Sequence, residues 1–455
     1  MAVSAPVRVR IAPSPTGFAH LGTASTALYN VLFARQNSGT FVLRIDDTDL
    51  ERNRPEYELL IYESLRWLGL DWTEGPIRQS ERLDIYKEEA AKLLASGKAY
   101  RCYCTPEELE AERRQAQLEK RAYRYSRRCL NNPPQGRTEF AVRFNVPGGE
   151  VTFHDMVRGE MRFDSDLIGD FIIVKSDGYP TYQFASPVDD ALMKITHVIR
   201  GEEHLSNTPY QVMLIDALGY QRPEAFAHMP LILAPDGAKL SKRKHPESNL
   251  MLFRDLGYLP EALINYLALL GWNPGTEKEL FTLAELEGAF SFARVQHAGA
   301  RFDWEKLNWL NGEYIRKLTI DELTERTRPF VPQVDDATLR KAVPALQTRM
   351  HKLAQAIDYL DFLWTDPAPP ALDADAAARV RAAIQAVSHV DWEPDAIEAA
   401  LEKAVAQSGV GKGKFYTPLR DALTGKKVAL PIHYCFGLLP KNVALSRLER
   451  AIRAA

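Results

Sequence analysis

The segment APSPTGFAHLGTA, residues 12–24, puts His20, Gly22 and Thr23 at the start of a stretch with helical apolar spacing. A helix N-terminus exposes unpaired N–H groups and a partial positive charge, which favours a phosphate; Gly22 lets the backbone approach it, and His20 can donate to its oxygens. On its own, His20 is more simply a surface histidine beside a Pro-rich turn with a capping Thr. A second candidate is KLSKRKH, residues 239–245. Lys239 and Lys242, with Arg243 adjacent, can surround a triphosphate and stabilise charge developing on leaving pyrophosphate. Alone, the run also fits a solvated face or a nucleic-acid patch. The third candidate is Cys102, Cys104 and Cys129, which lie within 28 residues of one another. Zinc takes tetrahedral thiolate sites, and three cysteines supply three of the ligands; three free buried thiols are the alternative.

These groups need elements to position them. VRVRI, residues 7–11, is a β-branched strand, and apolar Leu21, Ala24, Leu28, Val31 and Leu32 predict a helix over 21–36 that Gly39 stops. FVLRI, residues 41–45, is the next strand. Strand, helix and strand joined this closely imply a parallel pair, the opening of a doubly wound, Rossmann-like α/β sheet. From 101 to 180 the pattern changes to a charged helix (106–119) and short strands such as AVRFNV and FIIVK, an α+β insertion. The α/β pattern resumes with ITHVIR, a helix over 208–218, and HMPLIL, read as one strand ending at Leu233 in the same sheet. After residue 246 the chain is mostly helical, with a Pro-rich break at 365–375. The α/β domain is therefore split, 1–100 and 181–245, around an insertion at 101–180. A region at 246–315 and two all-α domains, 316–370 and 371–455, follow.

The composition is that of a folded soluble chain: 45% hydrophobic and 26% charged, with a net charge of −3 over 455 residues. No apolar stretch reaches membrane-spanning length, and the N-terminus has no secretory apolar core, which predicts a cytoplasmic protein with no membrane partner. The charge is uneven. Residues 411–455 hold nine Lys or Arg and two acids, a balance of +7 that suits a polyanion. GVGKGKF, residues 409–415, lacks the spacing of a P-loop and reads as a basic loop and helix.

Taken together, the His-Leu-Gly loop after the first strand and Lys-Leu-Ser-Lys about 220 residues later resemble the two signature motifs of class I aminoacyl-tRNA synthetases. APSPTG with HLGT narrows the likeness to the glutamyl and glutaminyl branch. LRIDDTD (43–49), GYPTYQFASPVDD (178–190), THVIRGEEHLSNT (196–208) and LNWLNGEYI (307–315) resemble bacterial glutamyl-tRNA synthetase segments, in order. The glutaminyl branch builds its anticodon part from β-barrels, and a truncated paralogue lacks that part, whereas the C-terminal third here is helical.

The resemblance implies glutamate–tRNA ligase activity: ATP and Mg2+ activate L-glutamate to glutamyl-adenylate, which is then transferred to the terminal adenosine of tRNA(Glu) by a monomeric enzyme. Bound tRNA is expected to be required for activation. His20, Gly22, Thr23, Glu203, Lys239 and Lys242 would hold ATP, with His20, Lys239 and Lys242 catalytic. Arg10, Ser14, Asp46, Tyr182 and Arg200 would bind glutamate. Without the resemblance, Arg10 reads as a charged edge-strand residue, and Arg200 as half of an ion pair with Glu202 or Glu203. Asp46 stands where the family usually has Glu, and Ser186 where it often has Asn. The insertion would bind the tRNA acceptor end, 246–315 would contact the stem, and the helical domains would bind the anticodon. In some relatives Cys, Cys, Tyr and Cys hold a structural zinc, which implies Tyr125 as the fourth ligand beside Cys102, Cys104 and Cys129. Gln347 falls near an Arg that helps some members reject tRNA(Gln), so charging of tRNA(Gln) is an open alternative, as is an exposed helix residue with no such role. An inactive tRNA-binding paralogue is a further alternative; it is disfavoured because His20 and Lys242 are both present.

Overall fold

The computed structural model describes residues 6–49, 51–240, 244–245 and 248–454. They fall into two compact units, one of residues up to 252 with 263–303, the other of 253–262 with 304 onward.

The first unit opens with β1 (Arg8–Ile11), α1 (Leu21–Gln36), β2 (Thr40–Ile45), α2 (Pro55–Trp67), β3 (Glu74–Arg78) and α3 (Leu83–Ala95). β1 pairs with β2 and β2 with β3, all parallel, as the short strand–helix–strand spacing predicts. β4 (Ala99–Cys102), α4 (Pro106–Leu118), α5 (Arg128–Asn131), β5 (Ala141–Phe144), β6 (Glu150–Asp155), β7 (Gly159–Asp164) and β8 (Phe171–Val174) follow. β4, β5 and β8 make a separate antiparallel sheet. α4 starts sharply because Thr105 and Glu108 form a reciprocal cap on its free N–H groups.

α6 (Tyr182–Leu192), β9 (His197–Gly201), α7 (Thr208–Leu218) and β10 (Ala225–Met229) complete the α/β pattern. β10 pairs in parallel with β9 and with β6, and β6 with β7 antiparallel. β1 meets the start of β9: the Thr196 N–H donates to the Arg8 carbonyl at 2.9 Å, and the Arg8 N–H to Thr196 Oγ1 at 2.8 Å. β1 is thus flanked on both sides, by β2 and by the start of β9.

One reading is corrected. HMPLIL is not one strand of the main sheet. It splits into the end of β10 and a two-residue β11 (Ile232–Leu233), which pairs with β12 (Ala300–Arg301). Pro230 lies between them and has no N–H to continue the ladder. After β11 a tight turn at 234–238, with Gly237 at φ +84°, returns the chain so that Lys239 bridges Leu233. A side chain at that φ would be strained, so Gly suits the turn.

The second unit is helical. Its core joins residues of 339–362 with residues of 380–451, so the segments before and after the Pro-rich break bury one common apolar interior. Arg447 fastens that break from below, donating to the carbonyls of Phe362, Thr365 and Leu423 at 2.7–2.9 Å. GVGKGKF forms the start of helix Lys412–Thr424, N-capped by Gly411.

Candidate active site

In open parallel sheets ligands sit beyond the carboxyl ends of the strands. Here the ends of β1, β2 and β9 border a cavity of about 930 Å³, lined by Arg10, Ser14, Asp46, Tyr182, Arg200 and Glu203, and by Gly22 and Thr23 of α1. Residues separated by up to 193 positions thus share one cleft.

His20, not a Thr, is the N-cap of α1; its Nδ1 accepts the Gly22 N–H at 3.0 Å. A neutral ring that accepts at Nδ1 carries its proton on Nε2, where it can donate to an anion. A Cβ on Gly22 would stand 3.1 Å from that Nδ1, so glycine permits the close ring approach. His20 also bridges Asn249, and the Leu250 N–H donates to the Ala19 carbonyl at 3.1 Å, which ties the His-Leu-Gly loop to the segment just past the Lys-Leu-Ser-Lys run. Lys239 is exposed, and its charge acts on His204 of the cavity wall. Lys242 lies outside the described residues.

Two buried cationic groups border the cavity. On the floor, Arg10 grips Asp190 with Nε and Nη2 at 3.0 and 3.2 Å. Arg44, fully buried, reaches Asp46 at 2.7 Å, Asp190 at 2.7 Å and the Ser186 hydroxyl at 3.1 Å. Asp189 beneath them accepts from Arg82, Gln79 and Tyr86 at 2.7–2.9 Å. Burial alone would push Asp190 up, but Arg10 and Arg44 together hold it below its usual range. Asp46 stays raised, because burial outweighs its pairing with Arg44. Both Asp46 oxygens are engaged by Arg44, the second at 3.4 Å. Ser186, whose hydroxyl accepts from Arg44, is part of this floor.

The wall is different. Arg200, nearly fully buried, donates to Tyr182 OH at 3.2 Å, Gln211 Oε1 at 2.8 Å, Thr208 Oγ1 at 2.8 Å and His228 Nε2 at 3.3 Å. All four are neutral acceptors, and among the described residues none of its hydrogen bonds goes to a carboxylate. The ion pair with Glu202 or Glu203 that its sequence context allowed is not formed: Glu202 pairs instead with Arg158 and accepts the Leu231 N–H at 3.1 Å. Burial lowers the Arg200 pKa but leaves a guanidinium charged at any ordinary pH. Tyr182, which accepts from Arg200, must send its own proton to His204 Nδ1 at 3.2 Å. Burial and the nearby Arg200 and Arg10 push His204 down to about 3, so its ring is neutral. Among the described residues no carboxylate is hydrogen-bonded to Arg200, so the wall presents a positive charge, the electrostatic complement of a carboxylate.

Arg44, Asp190, His228, Asp155 and His204 were not singled out from sequence. Arg44 in FVLRI and His228 in FAHM are lone ionisable residues inside apolar strands, a signal that could have found them. The aspartates carried no comparable mark.

A third group lies in the insertion. The thiols of Cys102, Cys104 and Cys129 lie within 4.8 Å of one another, and none is in a disulfide. Tyr125 OH is 3.6 Å from Cys102 Sγ and 3.1 Å from Cys104 Sγ, and accepts the Cys129 N–H at 3.2 Å. The Tyr103 N–H and Arg128 Nε donate to Cys129 and Cys104 sulfurs at 3.3 and 3.1 Å. The donor set could hold a metal ion. Burial and the three sulfurs raise the Tyr125 phenol far above its ordinary range, so it would ligate only where a cation displaces its proton. Gln347, by contrast, spends its amide inside the fold, donating to the carbonyls of Ile315 at 3.0 Å and Leu318 at 2.7 Å at the end of helix Trp304–Lys317.

The catalytic-domain model of the class I tRNA synthetases (E and Q) matches residues 6–309, and an anticodon binding domain model matches 322–452. The chain is 44% identical to the glutamate–tRNA ligase of Acidothermus cellulolyticus, covering 99% of this chain and 96% of that one. It is 46% identical to the glutamate–tRNA ligase of Carboxydothermus hydrogenoformans, over 97% and 99%. Among solved structures it is similar to a glutamate tRNA ligase from Elizabethkingia meningosepticum in complex with its amino acid, with TM-score 0.85, 32% identity and 99% of both chains covered. The cleft at the strand ends, the α1 N-terminus that borders it and the helical unit after it belong together: the chain is a member of the class I tRNA synthetases of the glutamyl and glutaminyl branch.

Proposed function

We propose that the protein is a glutamate–tRNA ligase. The observation that carries this reading is Arg200, a buried cation held only by neutral groups in a cavity that the N-terminus of α1 also borders. An anionic amino-acid side chain beside a triphosphate is the pair of substrates such a cleft would take.

Arg200, with Tyr182, Arg10 and Ser14 around it, binds glutamate. The Gly22 and Thr23 region of α1, His20 Nε2–H, Glu203, Lys239 and Lys242 hold ATP. The glutamate α-carboxylate oxygen attacks the α-phosphorus; the new O–P bond forms as the bond to pyrophosphate breaks, and the lysines neutralise the charge that builds on it. When bound with ATP, Mg2+ would add to the neutralisation of the triphosphate that the lysines provide. The 2′-hydroxyl of the tRNA terminal adenosine then takes the glutamyl group and AMP leaves. Asp46, paired with Arg44 through both oxygens, meets the substrate ammonium through water. The insertion takes the acceptor end, and the helical unit with its basic C-terminal stretch takes the anticodon arm. Cys102, Cys104, Cys129 and Tyr125 bind one structural zinc, supported by the convergence of four donors. The free thiols suit the reducing cytosol.

The test is aminoacylation by the purified protein with tRNA(Glu), tRNA(Gln) and each amino acid. Glutamate charged onto tRNA(Glu), with ATP–pyrophosphate exchange only when tRNA is present, is the expected result. No charging of either tRNA would refute the reading, and equal charging of both would assign it the broader tRNA range. Metal analysis showing well under one zinc per chain would reject the zinc site.

A further inference from the structure

Behind Arg200 lies a buried pair that does not line the cavity. His228, fully buried on β10, uses Nε2 to accept from Arg200 Nε–H at 3.3 Å and to meet the Thr208 hydroxyl at 3.0 Å. The Arg200 contact needs a lone pair on Nε2, so a neutral ring carries its proton on Nδ1. Nδ1 faces Asp155 Oδ2 at 2.6 Å, which fixes that tautomer. Asp155 is fixed in turn: its Oδ1 accepts the Val157 and Arg158 N–H groups at 2.9 and 3.0 Å.

The arrangement differs from the floor in one respect that matters chemically. Asp190 touches Arg10 directly and pairs with it as a counter-ion. Asp155 is separated from Arg200 by a neutral imidazole, so the guanidinium has an acceptor without a counter-ion. The fold accepts a cost for this. Gln211 turns its oxygen to Arg200 and leaves its buried Nε2 with no hydrogen-bond partner among the described residues.

We propose that His228, oriented by Asp155, is a positioning residue that holds Arg200 in place with its charge uncancelled, and thereby sets the preference for glutamate over glutamine. The proposal rests on the ligase reading above. Were the tautomer reversed, Nε2–H would face Arg200 Nε–H, donor against donor, and the guanidinium would have to turn.

The experiment is steady-state charging of tRNA(Glu), with glutamate and ATP varied separately and glutamine added as competitor, alongside thermal unfolding. For His228→Leu the KM for glutamate is expected to rise at least about tenfold while that for ATP stays within roughly twofold, and glutamine is expected to compete relatively better. His228→Gln, which keeps a neutral acceptor, is expected to recover to within about threefold of the parent, and Asp155→Asn to raise the glutamate KM by about threefold to fivefold. Should His228→Leu fail to fold, His228→Glu is compared with His228→Gln: the carboxylate placed on Arg200 is expected to raise the glutamate KM about tenfold over the amide. Folded variants with an unchanged glutamate KM, or with glutamate and ATP KM rising together as a purely structural role would cause, would overturn the proposal. A parent protein that charges no tRNA would instead overturn the ligase reading.

Discussion

The floor and the wall of the cavity both bury arginine, and they do opposite things with it. Arg10 and Arg44 are paired with Asp46, Asp189 and Asp190 and hold three chain segments together; Arg44 is wholly enclosed by these carboxylates, whereas Arg10, offset by Asp190, also lines the cavity. Arg200 is closed in by a phenol, an amide, a hydroxyl and an imidazole, so its charge is left for something that arrives. Burial alone therefore does not mark a binding residue. What separates the scaffold cation from the binding cation is whether its partners are anions.

The largest expected effect breaks the floor. Arg44→Met leaves Asp46 and Asp190 short of their shared partner, and losing one member of a buried ion network costs about 3–5 kcal/mol. The shift of the urea midpoint is the measure. Next, Arg200→Gln is expected to lower kcat/KM for glutamate by at least about a hundredfold, roughly 2.7 kcal/mol, with a much smaller loss of stability, because it removes a buried charge that no anion offsets. If Arg44→Met instead lost only activity and Arg200→Gln mainly stability, the two roles would be reversed.

Acid separates the regions further. His204 on the wall and His228 behind it are held below their ordinary range, mainly by burial. The unfolded chain therefore binds protons there first, and this contribution is complete above pH ~6.5 and falls as pH drops toward the folded values, by at most about 1.4 kcal/mol per unit for each ring. Asp190, depressed by Arg10 and Arg44, keeps its contribution until pH falls below ~4, and raised Asp46 works in the opposite sense. Stability measured from pH 7 to 5 should thus decline, and His204→Gln should flatten the slope. The smallest effect lies away from the cavity: Gln347→Ala, which frees the carbonyls at the end of one helix, should cost about 1 kcal/mol and leave the choice between tRNA(Glu) and tRNA(Gln) unchanged.

Two helices were legible in the sequence close to their ends. Leu21–Gln36 and Thr208–Leu218 form as their apolar spacing predicts; the first ends where Ser38 enters the left-handed region at φ +50°, just before Gly39, and the second at Gly219 in the same region. HMPLIL misled because an apolar run hides the missing N–H of Pro230. In the cavity, residues carried over by motif, Arg10, Tyr182 and Arg200, meet around one space. Their partners were not legible: Asp190 lies 146 residues from Arg44 and Asp155 73 from His228, and no spacing rule relates positions so far apart. Charge neutralisation is a tertiary property, so composition could suggest a cationic site but not which arginine remains free to act.

Determining the structure with glutamate bound tests the central claim most directly. The account predicts that a glutamate carboxylate lies within about 3 Å of the Arg200 guanidinium, with the Arg10–Asp190 and Arg44–Asp46 pairs intact. A ligand whose carboxylates both avoid Arg200, or which binds by pulling Arg10 or Arg44 away from its aspartates, would contradict it.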